Sequence, residues 1–303
     1  MAGSFARASD IGEGRDCLDL VALSPLMART SGRPEISIGL IDGPIFINHP
    51  DLPAENIHHL SGQLSGACSN DGSTACEHGT FVAGVLLARR GSVAPAICPG
   101  CTLLARPVFR EVMPDRDVLP GATAEELADA IIDVIDAGAR IVNLSLAAQG
   151  PFSRGERALD QALTHALRRG VVVIAAAGNQ GAVGSSAITR HPWIIPVVGY
   201  DLRGRPMSIS NIGASIGRCG LGAPGEAITS LGPTAESVSM GGTSVATPFV
   251  TGAIALMWSE FPDASAAEVR SAVTQAAARR RSTIVPPLLN AWKGYETMSR
   301  ARS

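Results

Sequence analysis

The sequence predicts an α/β protein of three layers, in which a mostly parallel central sheet lies between two layers of helices. Four short runs are apolar on both faces, as strands covered by helices are. These runs are residues 35–41, 140–146, 171–177 and 193–198. Helical patterns lie between them, and this strand–helix alternation is typical of a parallel sheet with right-handed crossovers.

Capping signals delimit two of the predicted helices. Thr123 and Glu126 have the spacing of a capping box, and the apolar residues that follow fall on one stripe. Ser153 and Glu156 have the same spacing, and Gly170 follows two arginines as a C-terminal stop. Each helix therefore connects two of the predicted strands.

Composition restricts the class of protein. The 303 residues include 25 basic and 27 acidic side chains, so the net charge of −2 gives no reason to expect a nucleic-acid or membrane partner. With 46% hydrophobic residues the chain is globular rather than disordered. Its longest apolar run, residues 171–177, is far shorter than the ~18 residues of a membrane span. We expect an irregular lead-in over 1–33 and a single domain over 34–303.

Location and cysteine chemistry follow from the same inspection. The N-terminus carries charges where a secretory signal is apolar, so a cytoplasmic protein with reduced thiols is expected. Cys68 and Cys76 flank a loop rich in Ser and Gly, and their pairing stays open. Cys98 and Cys101 form a CxxC, which favours a local disulfide or a plain turn because no second ligand pair follows at zinc spacing.

Four polar residues stand where chemistry is favoured. Asp42 ends the first predicted strand before Gly and Pro, and Asn179 follows a buried strand. His78 opens a helical segment, and Ser244 lies among small residues ahead of an apolar helix. Taken singly, they read as a turn cap, a turn residue, a structural histidine and an N-cap serine.

Taken together, the four residues indicate a catalytic site. Asp42 and His78 are 36 residues apart and Ser244 lies 166 residues further on, which is one of the known orders of a catalytic triad. The segments IGLIDGP, HGTFVAG, VNLSL, AAAGN and GGTSVATP resemble the signature blocks of subtilisin-like serine peptidases, in order and at compatible spacing. The resemblance extends over about residues 35–260 and implies the subtilisin-like fold.

The resemblance also implies a role for each residue. Ser244 attacks the scissile carbonyl, His78 accepts its proton and later donates it to the leaving amine, and Asp42 orients the imidazole. Asn179 and the backbone N–H of Ser244 form the oxyanion hole. No cofactor and no metal are implied.

In this family an extended peptide adds a strand beside the segment that corresponds to residues 144–150. The substrate is therefore expected to be a flexible peptide or an unfolded protein. The residues expected to bind it are Leu144, Ser145, Leu146, Ala147, Ala148, Ala177 and Gly178. Ala147 and Ala148 replace the usual glycines, and their methyl groups disfavour a large side chain at the P1 position.

Departures from the common pattern narrow the role. The triplet Asp42-Gly43-Pro44, the Cys-Pro-Gly-Cys segment and SVATP are similar to peptidases of cyanobactin-type pathways, which trim or macrocyclise ribosomally made peptides. The interval of 36 residues between Asp42 and His78 has no space for the large insertion of members that close macrocycles. Hydrolysis of a leader-bearing precursor peptide is therefore expected.

Other functions compete with this one. General intracellular proteolysis and macrocyclisation use the same site. An inactive peptide-binding module is disfavoured because all four site residues are present. A nucleotide-binding loop would depend on Gly178, Gly181 and Gly184, but their spacing is GxxGxxG rather than GxGxxG.

Overall fold

A computed structural model describes residues 17–60, 62, 64–111, 122–146, 155–234, 236–276 and 284–302. Its main sheet has seven strands in the order β2-β3-β1-β4-β5-β6-β7, and every neighbouring pair is parallel. The strands are β1 (Ser37–Asp42), β2 (Ile57–His59), β3 (Thr102–Pro107), β4 (Ile141–Leu144), β5 (Val172–Ala176), β6 (Ile194–Tyr200) and β7 (Leu221–Pro224). An antiparallel pair, β8 (Ile228–Leu231) and β9 (Ser237–Met240), forms a second sheet.

The helices form a layer on each face of the main sheet, which confirms the predicted architecture. They are α1 (Ser24–Arg29), α2 (Thr74–Leu87), α3 (Ala124–Asp136), α4 (Glu156–Arg169), α5 (Ala187–Arg190), α6 (Ala214–Cys219), α7 (Thr243–Glu260), α8 (Ala266–Ala276) and α9 (Ala291–Arg300). In the part of the chain described, none of them is both long and apolar enough to cross a bilayer.

Alternate residues of the strands point into two separate cores. In β5, Val172 and Ile174 pack with α2 and α7, whereas Val173 and Ala175 pack with α3 and α4. All four side chains are buried, which explains why the strand is apolar at every position.

The register of the sheet brings three strand ends to one edge. In β1, Ile41 lies beside Leu144 of β4, and Leu144 in turn lies beside Ala175 of β5. Because all three strands run in the same direction, the residues that follow them emerge side by side. The sheet thus gathers the segments after Asp42, Leu144 and Ala176 at a common cleft.

The helix ends agree with the sequence signals where these are described. Thr123 caps α3 in a complete capping box: its hydroxyl accepts from the Glu126 N–H, and the Glu126 carboxylate accepts from the Thr123 N–H. Gly170 ends α4 with a φ of +67°. Ser153 lies outside the described residues, and α4 begins at Glu156 after Gly155.

The segment before residue 34 contains a helix, whereas the sequence predicts irregular structure there. In α1, Leu26 is fully buried in the core that α7 also lines. Six residues are too few to show a clear helical period, and so short a helix depends on tertiary packing rather than on propensity.

The expectation of reduced thiols is wrong for one pair of cysteines. Cys68 and Cys76 form a disulfide, with their Cα atoms 5.6 Å apart. Cys76 lies in the first turn of α2, so this bond fastens the preceding loop to that helix. Cys98 and Cys101 are buried free thiols, so the CxxC contains no local disulfide.

The capping box of α3 gives a test of the fold's energetics. We expect Thr123→Ala to lower the free energy of unfolding by about 1 kcal/mol, because the Glu126 N–H loses its acceptor. Thr123→Ser keeps the hydroxyl and serves as the control in urea titrations. Equal midpoints for Thr123→Ala and the native chain would show that the box contributes nothing.

Candidate active site

A buried carboxylate and an imidazole form the centre of the site. Asp42 ends β1 and His78 lies in α2, with 2.7 Å between Asp42 Oδ1 and His78 Nδ1. The Asp42 side chain is inaccessible and His78 is 5% exposed. The Gly43 N–H donates to the same carboxylate oxygen at 2.7 Å. Because an ionised carboxylate only accepts, Nδ1 carries the hydrogen and Nε2 of the neutral ring is left as the base.

Two glycines allow this pair to form. A Cβ on Gly43 would lie 1.9 Å from the carbonyl oxygen of Ala75 in α2. A Cβ on Gly79 would lie 2.4 Å from the carbonyl oxygen of Pro44. Both distances are impossible for a side chain, so the turn after β1 rests directly on the backbone of α2. The glycines beside Asp42 and His78 therefore set the separation of the two side chains.

The surroundings of His78 shift its pKa upward. Burial by itself would lower the pKa, because it disfavours the charged ring. The negative charge of Asp42, the hydrogen bond from Nδ1 to Asp42 and the charge of Glu77 outweigh this and raise the pKa of His78 above its usual value. The site thus stabilises the imidazolium that a general base becomes when it accepts a proton.

Ser244 is the second residue of α7, the helix that packs against α2. Its side chain is half-buried. His78 Nε2 has no hydrogen-bond partner among the described residues, so the structure unites Asp42 with His78 but shows no bond from His78 to Ser244. Catalytic hydrogen bonds are often long in structures without substrate. The role of Ser244 as nucleophile stays a prediction.

Thr243, to which the sequence analysis assigned no role, fixes the orientation of Asn179. Asn179 Oδ1 accepts from the Thr243 N–H at 2.9 Å and from the Thr243 hydroxyl at 3.0 Å. A backbone N–H can only donate, so the atom that faces it is the amide oxygen. The Asn179 NH₂ group is thereby left for another acceptor, beside the residue that precedes Thr243.

That preceding residue is Gly242, and only glycine fits there. Its φ is +133°, and a Cβ would approach Asn179 Nδ2 to 2.9 Å. The glycine before Thr243 therefore keeps the amide donor unobstructed next to Ser244. Amide and backbone donors at the start of a helix are suited to hold a developing negative charge.

The described residues of the predicted substrate segment lie at the cleft. Ser145 and Leu146 follow β4 and are buried. Ala177 and Gly178 follow the neighbouring strand β5, and both are buried. Ala147 and Ala148 fall outside the described residues, so the predicted narrowing of the P1 pocket stays a prediction.

Gly178 has its backbone groups engaged within the protein. Its N–H donates to the Thr243 hydroxyl at 3.1 Å, and its carbonyl accepts from the Asn211 N–H at 2.8 Å. A Cβ at Gly178 would lie 2.3 Å from Asn211 Nδ2. The geometry therefore supports a role for Gly178 in holding Thr243. Contact of Leu144, Ser145, Leu146, Ala147, Ala148, Ala177 and Gly178 with substrate stays a prediction.

The chain resembles known proteins over most of its length. The subtilase family model matches residues 33–295. Subtilisin DY from Bacillus licheniformis is 30% identical over 266 residues, which are 86% of this chain and 90% of that protein. A mutant of the protease domain of PatA has a TM-score of 0.80 at 28% identity, over 90% of this chain and 98% of that one. The prenylagaramide maturation protease PagA has a TM-score of 0.78 at 26% identity, and the match covers 91% of this chain and 98% of that one.

These matches agree with the parallel sheet and with the helices on both of its faces. The chain belongs to the subtilase family of serine peptidases, which hydrolyse peptide bonds.

Proposed function

We propose that Asp42, His78 and Ser244 form the catalytic triad of this peptidase, and that it trims a ribosomally made precursor peptide. One observation carries the first part: a buried Asp42–His78 hydrogen bond of 2.7 Å leaves Nε2 unpaired within the described residues, on a helix that packs against the helix of Ser244. A serine hydroxyl needs an adjacent base, and the free Nε2 of a neutral His78 is a base of the right type.

The proposed reaction proceeds by acyl transfer. Ser244 Oγ attacks the scissile carbonyl while His78 Nε2 takes its proton, and Asp42 stabilises the resulting imidazolium. The Asn179 NH₂ group and the Ser244 N–H stabilise the tetrahedral oxyanion. His78 then donates the proton to the leaving amine, and water hydrolyses the acyl-enzyme with His78 again as base.

The substrate is proposed to be an extended peptide that pairs with the segment after β4. This segment continues β4 at the edge where the ends of β1, β4 and β5 meet, and pairing with it would be a case of β-strand addition. Support for a leader-bearing precursor comes from the likeness to the maturation protease PagA and from the triplet Asp42-Gly43-Pro44. The 36-residue interval between Asp42 and His78 favours hydrolysis over macrocyclisation.

A cytoplasmic location belongs to the same proposal, because ribosomal precursors are made there. The disulfide between Cys68 and Cys76 is the feature that favours an oxidising compartment instead. Alkylation of free thiols in fresh cell extract distinguishes the cytoplasm from an oxidising compartment. Cys68 and Cys76 should both be alkylated if the protein is cytoplasmic, and both should be protected by their disulfide if the compartment is oxidising.

Incubation with a leader-bearing precursor tests the substrate. We expect mass spectrometry to show cleaved, linear products with the native chain and intact precursor with Ser244→Ala. A fluorogenic peptide of unrelated sequence is tested alongside the precursor, as the control for specificity. Equal cleavage of both peptides would favour general proteolysis, and a cyclic product that lacks one water would show transpeptidation.

Loss of the amide donor tests the oxyanion hole. We expect Asn179→Ala to lower kcat by about 10²–10³-fold with little change in KM, because Asn179 stabilises the transition state and not the ground state. Gln180→Ala removes the neighbouring exposed amide and should retain activity. A similar kcat for both variants would exclude Asn179 from the hole.

The raised pKa of His78 sets the expected pH dependence. Only the neutral ring is a base, so kcat/KM should rise with increasing pH as His78 loses its proton. Because the pKa of His78 is raised, this rise, the acid limb of the pH profile, should lie at a higher pH than the usual pKa of His. Glu77→Gln removes one of the charges that raise this pKa and should move the limb to lower pH. Glu156→Gln, in the first turn of α4, should not. If the acid limb lies at the same pH in the native chain, Glu77→Gln and Glu156→Gln, the assignment of His78 as the general base is contradicted.

A further inference from the structure

The helix of Ser244 contains an internal proline that alters its hydrogen bonding. Pro248 stands four residues after Ser244 in α7. In an α-helix the carbonyl of a residue accepts from the N–H four residues later, and proline has no N–H. The carbonyl of Ser244 therefore lacks its regular helical donor.

The side chain of Ser145 supplies a donor at this point. Its hydroxyl donates to the Ser244 carbonyl oxygen at 2.9 Å. Ser145 is fully buried directly after β4, so its hydroxyl is directed toward α7 within the protein. Because a carbonyl only accepts, the single hydroxyl hydrogen of Ser145 is committed to Ser244.

Two further buried side chains stand behind Ser145. Asn143 Nδ2 donates to Ser145 Oγ at 2.7 Å, and the Thr251 hydroxyl donates to Asn143 Oδ1 at 2.7 Å. Both residues are inaccessible to solvent. Ser145 gives its hydrogen to Ser244, so Asn143 Nδ2 is the donor to Ser145 and Asn143 Oδ1 is left to accept from Thr251. The Thr251 hydroxyl also lies 3.3 Å from the Thr247 carbonyl, but its contact with Asn143 is the shorter one. The three bonds therefore run one way, from Thr251 to the carbonyl of Ser244.

This series of hydrogen bonds connects α7 with β4 at two points. It begins on α7 at Thr251, crosses to β4 at Asn143, and returns to α7 at Ser244. A slide or rotation of the first turns of α7 relative to β4 would break at least one bond, and each buried group left unpaired is costly. The series thus holds the nucleophile's backbone against the strand whose continuation is proposed to bind substrate.

We propose that Thr251, Asn143 and Ser145 are positioning residues, which fix the backbone of Ser244 where Pro248 has removed its regular bond. The inference rests on the proposed role of Ser244. None of the three side chains supplies a group to the reaction. They act by fixing the position and orientation of Ser244 Oγ and of the Ser244 N–H. A small displacement of either group slows acylation.

Thr251 provides the cleanest probe, since it is buried and lies two turns beyond Ser244. Thr251→Val keeps the shape but loses the donor, whereas Thr251→Ser keeps the donor. We expect Thr251→Val to lower kcat and the rate of labelling by a fluorophosphonate about five- to tenfold, with KM within about twofold. Thr251→Ser should stay close to the native rate.

A matched control separates positioning from stability. Ser259→Ala removes another fully buried hydroxyl of α7, one that donates to the Ala255 carbonyl at 2.8 Å. It should lower the melting temperature to an extent comparable with Thr251→Val yet label at the native rate. Equal labelling rates for Thr251→Val and Ser259→Ala would overturn the inference.

A double-mutant cycle tests the connection itself. Ser145→Ala should slow labelling by a similar factor, and in that background Thr251→Val should have no further effect, because the last bond of the series is already lost. Effects that multiply would overturn the inference. Ser145→Ala also serves alone if Thr251→Val does not fold. Native protein that fails to label at all would refute the triad rather than the positioning role.

Discussion

The hydrogen bond between Asp42 and His78 is the constraint on which the site depends. A carboxylate with no access to solvent is costly unless it is paired, so β1 and α2 must keep the one relation in which the imidazole and the Gly43 N–H both reach it. In the sheet, β3 pairs with Asp42 itself and β4 pairs with the preceding Ile41, so both neighbouring strands fix the end of β1. The electrostatics of the base are therefore a property of the fold, set before any substrate arrives.

Ser244, the proposed nucleophile, is held by a separate set of bonds. Thr243 connects the start of α7 to the residues after β5, and Ser145 connects it to the end of β4. The two sets of bonds are brought together by the pairing of β1 with β4 and by the packing of α2 on α7. No bond joins His78 to Ser244 among the described residues, so packing rather than a direct hydrogen bond sets the relation between the two.

Sequence patterns predicted the features that depend on local order. Buried strands are apolar on both faces, the Thr123–Glu126 box starts a helix, and the motif blocks name Asp42 and His78, which a hydrogen bond joins. The role that the blocks give to Ser244 stays a prediction. Features that depend on distant packing were missed. The Thr251 hydroxyl donates to Asn143, which is 108 residues away, and no local sequence pattern indicates this contact. A signal did exist for Ser244, because a proline four residues later leaves its carbonyl in need of a donor.

The Asp-Gly-Pro turn follows from how close α2 lies to β1. Gly43 follows Asp42, and the oxygen of Ala75 would lie 1.9 Å from any Cβ at this position. No hydroxyl-bearing side chain fits unless α2 moves away. Cys76, next to Ala75, is bonded to Cys68, and so the disulfide holds α2 in the position that excludes one. Gly43 and the disulfide thus belong to one arrangement, in which the backbone N–H of Gly43 donates to Asp42 at 2.7 Å.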